Sequence, residues 1–431
     1  MREASIECQN FYEGISSCYF LIKMNGMKRN LLLPAFLIWG LSSLGATTAI
    51  FDYSSGEEGR KAMIRLPKVE KNVKAVLYTH QNMTEEVLFR SEKFKEKMDS
   101  LGVAMAFIQR GSQNWHPDSD CQQRFEAIMR DFSEGTGHPE IMEAPIIPFG
   151  HSAQATFPWN FAAWNPDRTL CIISYHGDAP RTNLCGYGRE NVEWGRTRNI
   201  DSIPGLMIEG EYEWWEARVR PALAFRMMYP DSRISFLCDA GKGHFDLCED
   251  TQLYMAKFIE KALDSSRPEG GVYYSRWMED GTESTDPHDM FWYQDQNMAD
   301  WTKRRYEETR GKEMQYVSAT LDGKLLEYNP KSHIKISKTI EGNEFTLMPV
   351  FGDENSSEIS SSHSDAKPTV TLISGPAIQT GPYTFAYDPD YFGFDPERLW
   401  SGITLCVEAE GDDVFKPAVQ EIVIHLKTQP D

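Results

Sequence analysis

Between about residues 70 and 265, short apolar runs alternate with segments of helical periodicity, and this alternation restricts the fold more than any other feature of the chain. Ala75-Val76-Leu77-Tyr78, Val103-Ala104-Met105-Ala106-Phe107-Ile108, Ala144-Pro145-Ile146-Ile147-Pro148-Phe149, Leu170-Cys171-Ile172-Ile173-Ser174, Gly205-Leu206-Met207-Ile208 and Ile234-Ser235-Phe236-Leu237-Cys238 each read as a buried strand. Helices are expected over 84–100, 121–134, 214–228 and 250–264, with a further one after Ser152. In the first of these Val87, Leu88, Phe94 and Met98 fall on one side. Strands apolar on both faces and joined by helical crossovers imply a mainly parallel sheet covered by helices on both sides.

The texture changes further along. Residues 266–318 are rich in charge and aromatics, and Pro268, Gly270 and Gly271 mark a boundary. Beyond it, Gln315-Tyr316-Val317-Ser318-Ala319-Thr320-Leu321 and Glu421-Ile422-Val423-Ile424-His425-Leu426 alternate as antiparallel strands do, so a C-terminal antiparallel β-sandwich is expected. The Ser-rich stretch 353–368 reads as a loop within it. The expected division is an N-terminal extension and signal over 1–49, a catalytic α/β domain with linker over 50–312, and the sandwich over 313–431.

Charge and cysteine usage bound the partners and the compartment. The 431 residues carry a formal net charge of -20, which repels phosphate backbones and anionic membranes and makes nucleic acid an unsuitable partner. From Met27 the chain runs Lys28-Arg29, then an apolar stretch to about Leu44, then Gly45-Ala46-Thr47-Thr48-Ala49. That order is the pattern of an export signal cleaved after Ala46 or Ala49, too short for a span of about 20 residues and leaving no stable membrane span after its removal. Residues 1–26 would then be an upstream start, and no cysteine follows closely enough for a lipid anchor. Of the remaining Cys121, Cys171, Cys185, Cys238, Cys248 and Cys406, an exported protein can pair several, and a Cys238–Cys248 bridge would bracket His244.

Three placements carry chemistry. Gly150-His151-Ser152-Ala153 joins an apolar strand to a helical segment, and small neighbours permit the strained turn that exposes a serine hydroxyl beside a base. The amide of Ala153 can then face a developing oxyanion, although Gln154 stands where the usual G-x-S-x-G pattern has glycine. His244, in Asp239-Ala240-Gly241-Lys242-Gly243-His244, follows a strand on a glycine-flanked loop that lets an imidazole swing over the sheet as base and then acid. Between them, Ile208-Glu209-Gly210-Glu211-Tyr212-Glu213 follows another strand, where the orienting acid belongs. Glu213 is the first choice, Glu211 the fallback, and Glu209 and Glu216 fall on strand and helix. The loop Thr79-His80-Gln81-Asn82-Met83 should supply the second oxyanion donor from the amide of Gln81 or Asn82, with the Asn82 side chain as a further donor. Asn82-Met83-Thr84 also matches a glycosylation acceptor pattern.

On YTHQNMTEE, PFGHSAQ, GEYE and GKGHF, residues from about 73 to 265 resemble an α/β-hydrolase domain of the dienelactone-hydrolase or esterase type. The resemblance implies ester hydrolysis through an acyl-enzyme, with no metal or organic cofactor. An exported esterase with an appended sandwich is similar in layout to bacterial carbohydrate esterases acting on acetylated, methylated or feruloylated polysaccharides. A serine peptidase on the same fold, or a glycan-binding protein that has lost catalysis, is the alternative. Trp115, Trp159, Trp164, Trp194, Trp214 and Trp215 lie around the expected site, and Trp115, Trp214 and Trp215 are the pocket candidates, packing being the other role open to them. His176 and Asp178 could also line the cleft. His176-x-Asp178 and His244-x-Asp246 lack a third metal ligand at a telling spacing. The segment from Asp178 to Arg198 is expected to cap the cleft and shape substrate choice.

Overall fold

The computed structural model describes residues 20–22, 48–53, 60–68, 72–109, 115, 120–177, 179–180, 200–211, 215–244, 247–264, 272–273, 286, 288–326, 334–338, 344–353, 360–388 and 402–426. The first nine strands are β1 (Phe20–Ile22), β2 (Thr48–Tyr53), β3 (Arg60–Arg65), β4 (Ala75–His80), β5 (Val103–Ile108), β6 (Ile146–His151), β7 (Ile172–Tyr175), β8 (Gly205–Gly210) and β9 (Ile234–Asp239). They form one sheet in the order β1-β2-β3-β5-β4-β6-β7-β8-β9. From β5 through β9 every pairing is parallel, whereas β3 runs antiparallel to both β2 and β5. The chain leaves β4 towards β5 and returns to its other side as β6. The carboxyl ends of β4 and β6 therefore flank the switch point, where open α/β sheets place their crevices.

Each parallel strand feeds two cores by its period of two. In β4, Ala75 and Leu77 face one helical layer while Val76 and Tyr78 face the other. In β5, Val103 and Met105 join the first layer, and Ala104, Ala106 and Ile108 the second. The covering helices are α1 (Met83–Arg90), α2 (Glu92–Leu101), α3 (Cys121–Thr136), α4 (Thr156–Trp164), α5 (Trp215–Met228) and α6 (Glu249–Asp264). α4 is apolar nearly all round and serves both cores, Trp159 on one side and Phe157 and Phe161 on the other. The single helix expected over 84–100 is two. Ser91 adopts an extended backbone, accepts the Phe94 amide at 3.3 Å as the N-cap of α2, and bonds Gln252 of α6 at 2.6 Å.

A small hairpin, β10 (Val272–Tyr273) with β11 (Trp292–Tyr293), precedes α7 (Gln296–Thr309). The remaining strands are β12 (Tyr316–Leu321), β13 (Lys324–Leu325), β14 (Ile334–Lys338), β15 (Glu344–Gly352), β16 (Thr369–Ser374), β17 (Ala377–Gln379), β18 (Thr384–Tyr387), β19 (Gly402–Ala409) and β20 (Ala418–Leu426). They form two sheets, β13-β12-β15-β18-β17 and β14-β20-β19-β16. Val317, Leu347 and Phe385 of one meet Val370, Leu405 and Ile422 of the other in a shared core, the layering of a sandwich. It is not wholly antiparallel, because β14 pairs with β20 in parallel. Ile373 and Cys406 of the second sheet pack into one core of the nine-stranded sheet, and the Arg90 guanidinium donates to the carbonyls of Gly375 and Ala377, each at 3.3 Å.

The expected apolar signal over 27–49 falls almost wholly outside the described residues. No described helix is long and apolar enough to cross a membrane. The Cys238–Cys248 bridge does not form. Cys238 is a buried free thiol within β9, and the Cys248 sulfur bonds Thr251 Oγ1 at 3.1 Å. Cys121, Cys171 and Cys406 are also free, and Cys185 lies outside the described residues.

Candidate active site

Ser152 follows the last residue of β6 with φ of 51°, in the left-handed region that a residue with a Cβ rarely enters. A 3-10 turn, Ser152–Gln154, then leads into α4, with the Ala155 amide donating to the Ser152 carbonyl at 2.9 Å. So sharp a reversal needs missing side chains beside it. A Cβ on Gly150 would lie 2.0 Å from the Gln154 carbonyl oxygen, and one on Gly177 would lie 1.8 Å from the Ala155 Cβ. Two glycines, one before the serine and one on the neighbouring loop, thus make the room. Gln154, in the place of the expected fifth-position glycine, turns its side chain to the buried ring of His80 at the end of β4. Burial holds the His80 pKa down at about 4 from 6.5, the Gln154 contact opposing it.

The loop after β9 brings His244 to this turn, with its Nε2 2.7 Å from Ser152 Oγ. A neutral imidazole with its proton on Nδ1 would accept the serine hydroxyl hydrogen there. Two further imidazoles hold the backbone of that loop. His151 Nε2 lies 2.9 Å and His176 Nδ1 2.7 Å from the His244 carbonyl oxygen. A carbonyl only accepts, so His151 carries its proton on Nε2 and His176 on Nδ1. His176 is fully buried at the end of β7, has φ of 47°, and stacks on Tyr175 with ring centroids 3.9 Å apart. It therefore anchors the histidine loop instead of lining a cleft.

The start of α1 fixes the elbow from the other side. Asn82 Nδ2 donates to the His151 carbonyl at 2.8 Å, and Glu85 accepts the His151 amide at 2.7 Å. Burial raises the Glu85 carboxyl well above the usual range, more than that amide lowers it. The oxyanion expectations divide accordingly. The Gln81 amide is committed to the Ile108 carbonyl at 2.8 Å, extending the β4–β5 ladder past His80, and is not available to an oxyanion. The Asn82 side chain is likewise committed to the elbow. The amides of Ala153 and Asn82 remain the candidates, Ala153 directly after the serine and Asn82 at the mouth of the adjacent loop.

Glu213, the expected acid, lies outside the described residues. Two of its neighbours make other contacts. Glu209 is fully buried on β8, accepting the Gly177 amide at 3.1 Å and pairing with Arg218 at 3.0 Å. Glu211 takes the Gly241 amide at 2.7 Å on one oxygen and Lys416 Nζ at 2.6 Å on the other. Glu216 falls on α5.

Of the three pocket aromatics, Trp115 comes out differently from expectation. Trp115 is 1% exposed, packed against Phe125, Phe157, Phe161 and Trp164 in the core beneath His80. It is a core residue and not a sugar platform. Trp159 is core as well. Trp214 and Trp194 lie outside the described residues, as does nearly all of the expected cap over 178–198, and Trp215 opens α5.

His151, His176 and His244 each place a ring nitrogen within 4.8 Å of the others, the separation of a metal-ligand set. The chemistry of this donor set is that of hydrogen bonding. Two of the rings give an N–H to the His244 carbonyl oxygen, and His244 Nε2 faces the serine. Neither His151 nor His176 stood out in the sequence as a loop anchor, since nothing local links residues 151 and 176 to the backbone of residue 244.

No family model matches the chain, and no curated protein matches it. Solved structures similar in part include an S-formylglutathione hydrolase from Agrobacterium tumefaciens, with TM-score 0.37 and 12% identity over 52% of this chain and 95% of that one. A ferulic acid esterase gives TM-score 0.38 and 13% identity over 51% and 97%. A truncated carbohydrate esterase from gut microbiota gives 0.33 and 14% over 47% and 91%. At such scores the likenesses carry no argument, and the fold is described by its own strand order, crossover helices and sharp turn between β6 and α4.

Proposed function

We propose that the chain is a serine hydrolase that cleaves carboxylic esters through an acyl-enzyme, exported from the cell and acting on carbohydrate-linked esters such as acetyl, methyl or feruloyl groups. The observation that carries this reading is the 2.7 Å contact between His244 Nε2 and Ser152 Oγ, with the serine held in a left-handed conformation at the switch point of a parallel sheet. Ser152 Oγ attacks the ester carbonyl as His244 Nε2 takes its proton, and the tetrahedral oxyanion turns to the Ala153 amide. His244 then gives the proton to the departing alcohol, and water repeats the cycle on the acyl-serine. Glu213 would orient the imidazole from the segment after β8. The sugar-linked substrate class draws on the appended sandwich and the aromatic loops, and export on the Met27–Ala49 pattern.

Ser152→Ala should abolish turnover of p-nitrophenyl acetate and labelling by a fluorophosphonate probe while leaving the thermal transition in place. Turnover surviving in this variant would remove Ser152 from the mechanism. A folded wild type that neither labels nor turns over would leave a binding protein, and cleavage of short peptides but not of esters a peptidase. N-terminal sequencing of the secreted protein should find a start at Thr47 or Ile50, and an intact Met1 or Met27 start would defeat the export reading.

A further inference from the structure

We propose that Lys416 of the C-terminal sandwich positions the His244 loop through Glu211, so that the sandwich forms part of the active-site framework. The inference rests on the esterase reading for its kinetic consequence, and on geometry alone for the coupling. The carboxylate of Glu211 works as a clamp with one oxygen on each domain. Oε2 accepts the Gly241 amide at 2.7 Å, and Oε1 meets Lys416 Nζ at 2.6 Å. Both side chains are mostly sheltered, at 22% and 13% exposed, so water competes weakly for either contact. The two ends are anchored. The Glu211 amide donates to the Asp239 carbonyl at 3.1 Å, and Lys416 is held in the sandwich through its amide on Glu313 at 2.8 Å and its carbonyl on Gln315 Nε2 at 2.8 Å.

The loop from Gly241 to His244 also packs directly against the sandwich. Gly241 has φ of 72°, and a Cβ there would come 3.0 Å from Pro417 Cδ and 3.1 Å from the Pro417 carbonyl oxygen, so the loop backbone rests directly on the sandwich residue after Lys416. Opposite, a Cβ on Gly210 would lie 2.7 Å from the Lys242 carbonyl oxygen, so β8 closes the other side. The segment thus runs in a slot between the sheet end and the sandwich, and His244 is three residues beyond Gly241. Without Lys416, the mostly sheltered Glu211 carboxylate loses this ion pair and turns to water, releasing the Gly241 amide. A loop that drifts by a fraction of an ångström loses the in-line contact on Ser152, which lowers kcat more than it changes KM.

Full-length wild type, Lys416→Met, Lys416→Arg and Glu211→Gln are compared by p-nitrophenyl acetate kinetics and by amide hydrogen exchange over 240–244. Lys416→Met should lower kcat about 10-fold with KM within about 2-fold, and speed exchange in the loop. Lys416→Arg should recover most of both, which a loss of overall stability would not do. Glu211→Gln keeps an acceptor for Gly241 but not the ion pair, and should fall between, so the clamp is tested even if Lys416→Met folds poorly. Unchanged exchange in Lys416→Met overturns the coupling, and faster exchange with unchanged kcat overturns the positioning role. A wild type without esterase activity, but with exchange that quickens in Lys416→Met, sinks the esterase reading and leaves the coupling standing.

Discussion

The His80 ring gives the fold an acid limit that can be measured. It is completely buried beneath the elbow, with Phe157 at 4.3 Å between centroids and Trp115 stacked at 6.5 Å, and its pKa falls from 6.5 to about 4. A histidine depressed in this way stabilises the fold fully above its unfolded pKa of 6.5, and the contribution drains away as pH falls through the window down to about 4. The whole gap is worth about 3 kcal/mol, and about 2.5 kcal/mol of it is gone by about pH 4.5. Glu85 works against this trend, since a carboxyl raised by burial favours the folded state as pH falls. The comparison that isolates His80 is therefore wild type against His80→Phe, which keeps an aromatic ring among Phe157 and Trp115 but cannot take a proton. Urea unfolding followed by tryptophan fluorescence, at about pH 7.5 and about pH 4.5, should show wild type losing about 2.5 kcal/mol more than the variant over that interval. Equal losses in the two proteins would refute the argument, because the ring would then be titrating in the folded state as it does in the unfolded one.

Two further substitutions test the framework around the serine. Arg218→Met should cost about 3–5 kcal/mol in chemical denaturation, because it removes the guanidinium paired with the fully buried Glu209 carboxylate; a cost below about 1 kcal/mol would mean that the buried carboxylate does not depend on this pair. His176→Phe keeps the ring stacked on Tyr175 but removes the 2.7 Å donor to the His244 carbonyl, and should lower kcat about 10-fold with little change in thermal midpoint; an unchanged kcat would leave His151 as sufficient anchor.

How much of this was legible in the sequence follows from which interactions are local. The strands of the parallel sheet were readable to within a residue or two because both of their faces are apolar, and β5 matches its expected span of Val103–Ile108. The antiparallel pair β2 and β3 was not, since Arg60-Lys61-Ala62-Met63-Ile64-Arg65 carries charge at both ends and buries Arg65 only by pairing it with Asp99, 34 positions away. The break at Ser91 was hidden for a similar reason, as its bond to Gln252 joins helices remote in sequence. The approach of His244 to Ser152 was legible because each lies in a loop or turn just past a strand of the parallel sheet. Trp115 misled because its immediate neighbours are polar, and its burial is decided by Phe125, Phe157 and Phe161 from two other helices. The parallel pairing of β14 with β20 depends on which strands the second sheet brings together, which alternation alone does not encode.

The missing glycine after the serine turns on what the elbow requires. A G-x-S-x-G turn uses its last glycine to let helix and strand approach, and here that closeness is provided from elsewhere, by Gly177 against Ala155 and by Gly150 against the Gln154 carbonyl. Position 154 is then free to carry a side chain, provided that it points down into the protein, and Gln154 meets His80 there. The consequence reaches the loop after β4. His80 is the last residue of β4, Gln81 continues the ladder onto Ile108, and Asn82 ties the next turn to the His151 carbonyl. Strain of about 1–3 kcal/mol at the Ser152 backbone is held by contacts made on both sides of it, Asn82 and Glu85 on the main chain of His151 and the Ala155 amide on the Ser152 carbonyl. In this chain the elbow and the loop after β4 are thus tied together by the Asn82 and Glu85 bonds to the main chain of His151.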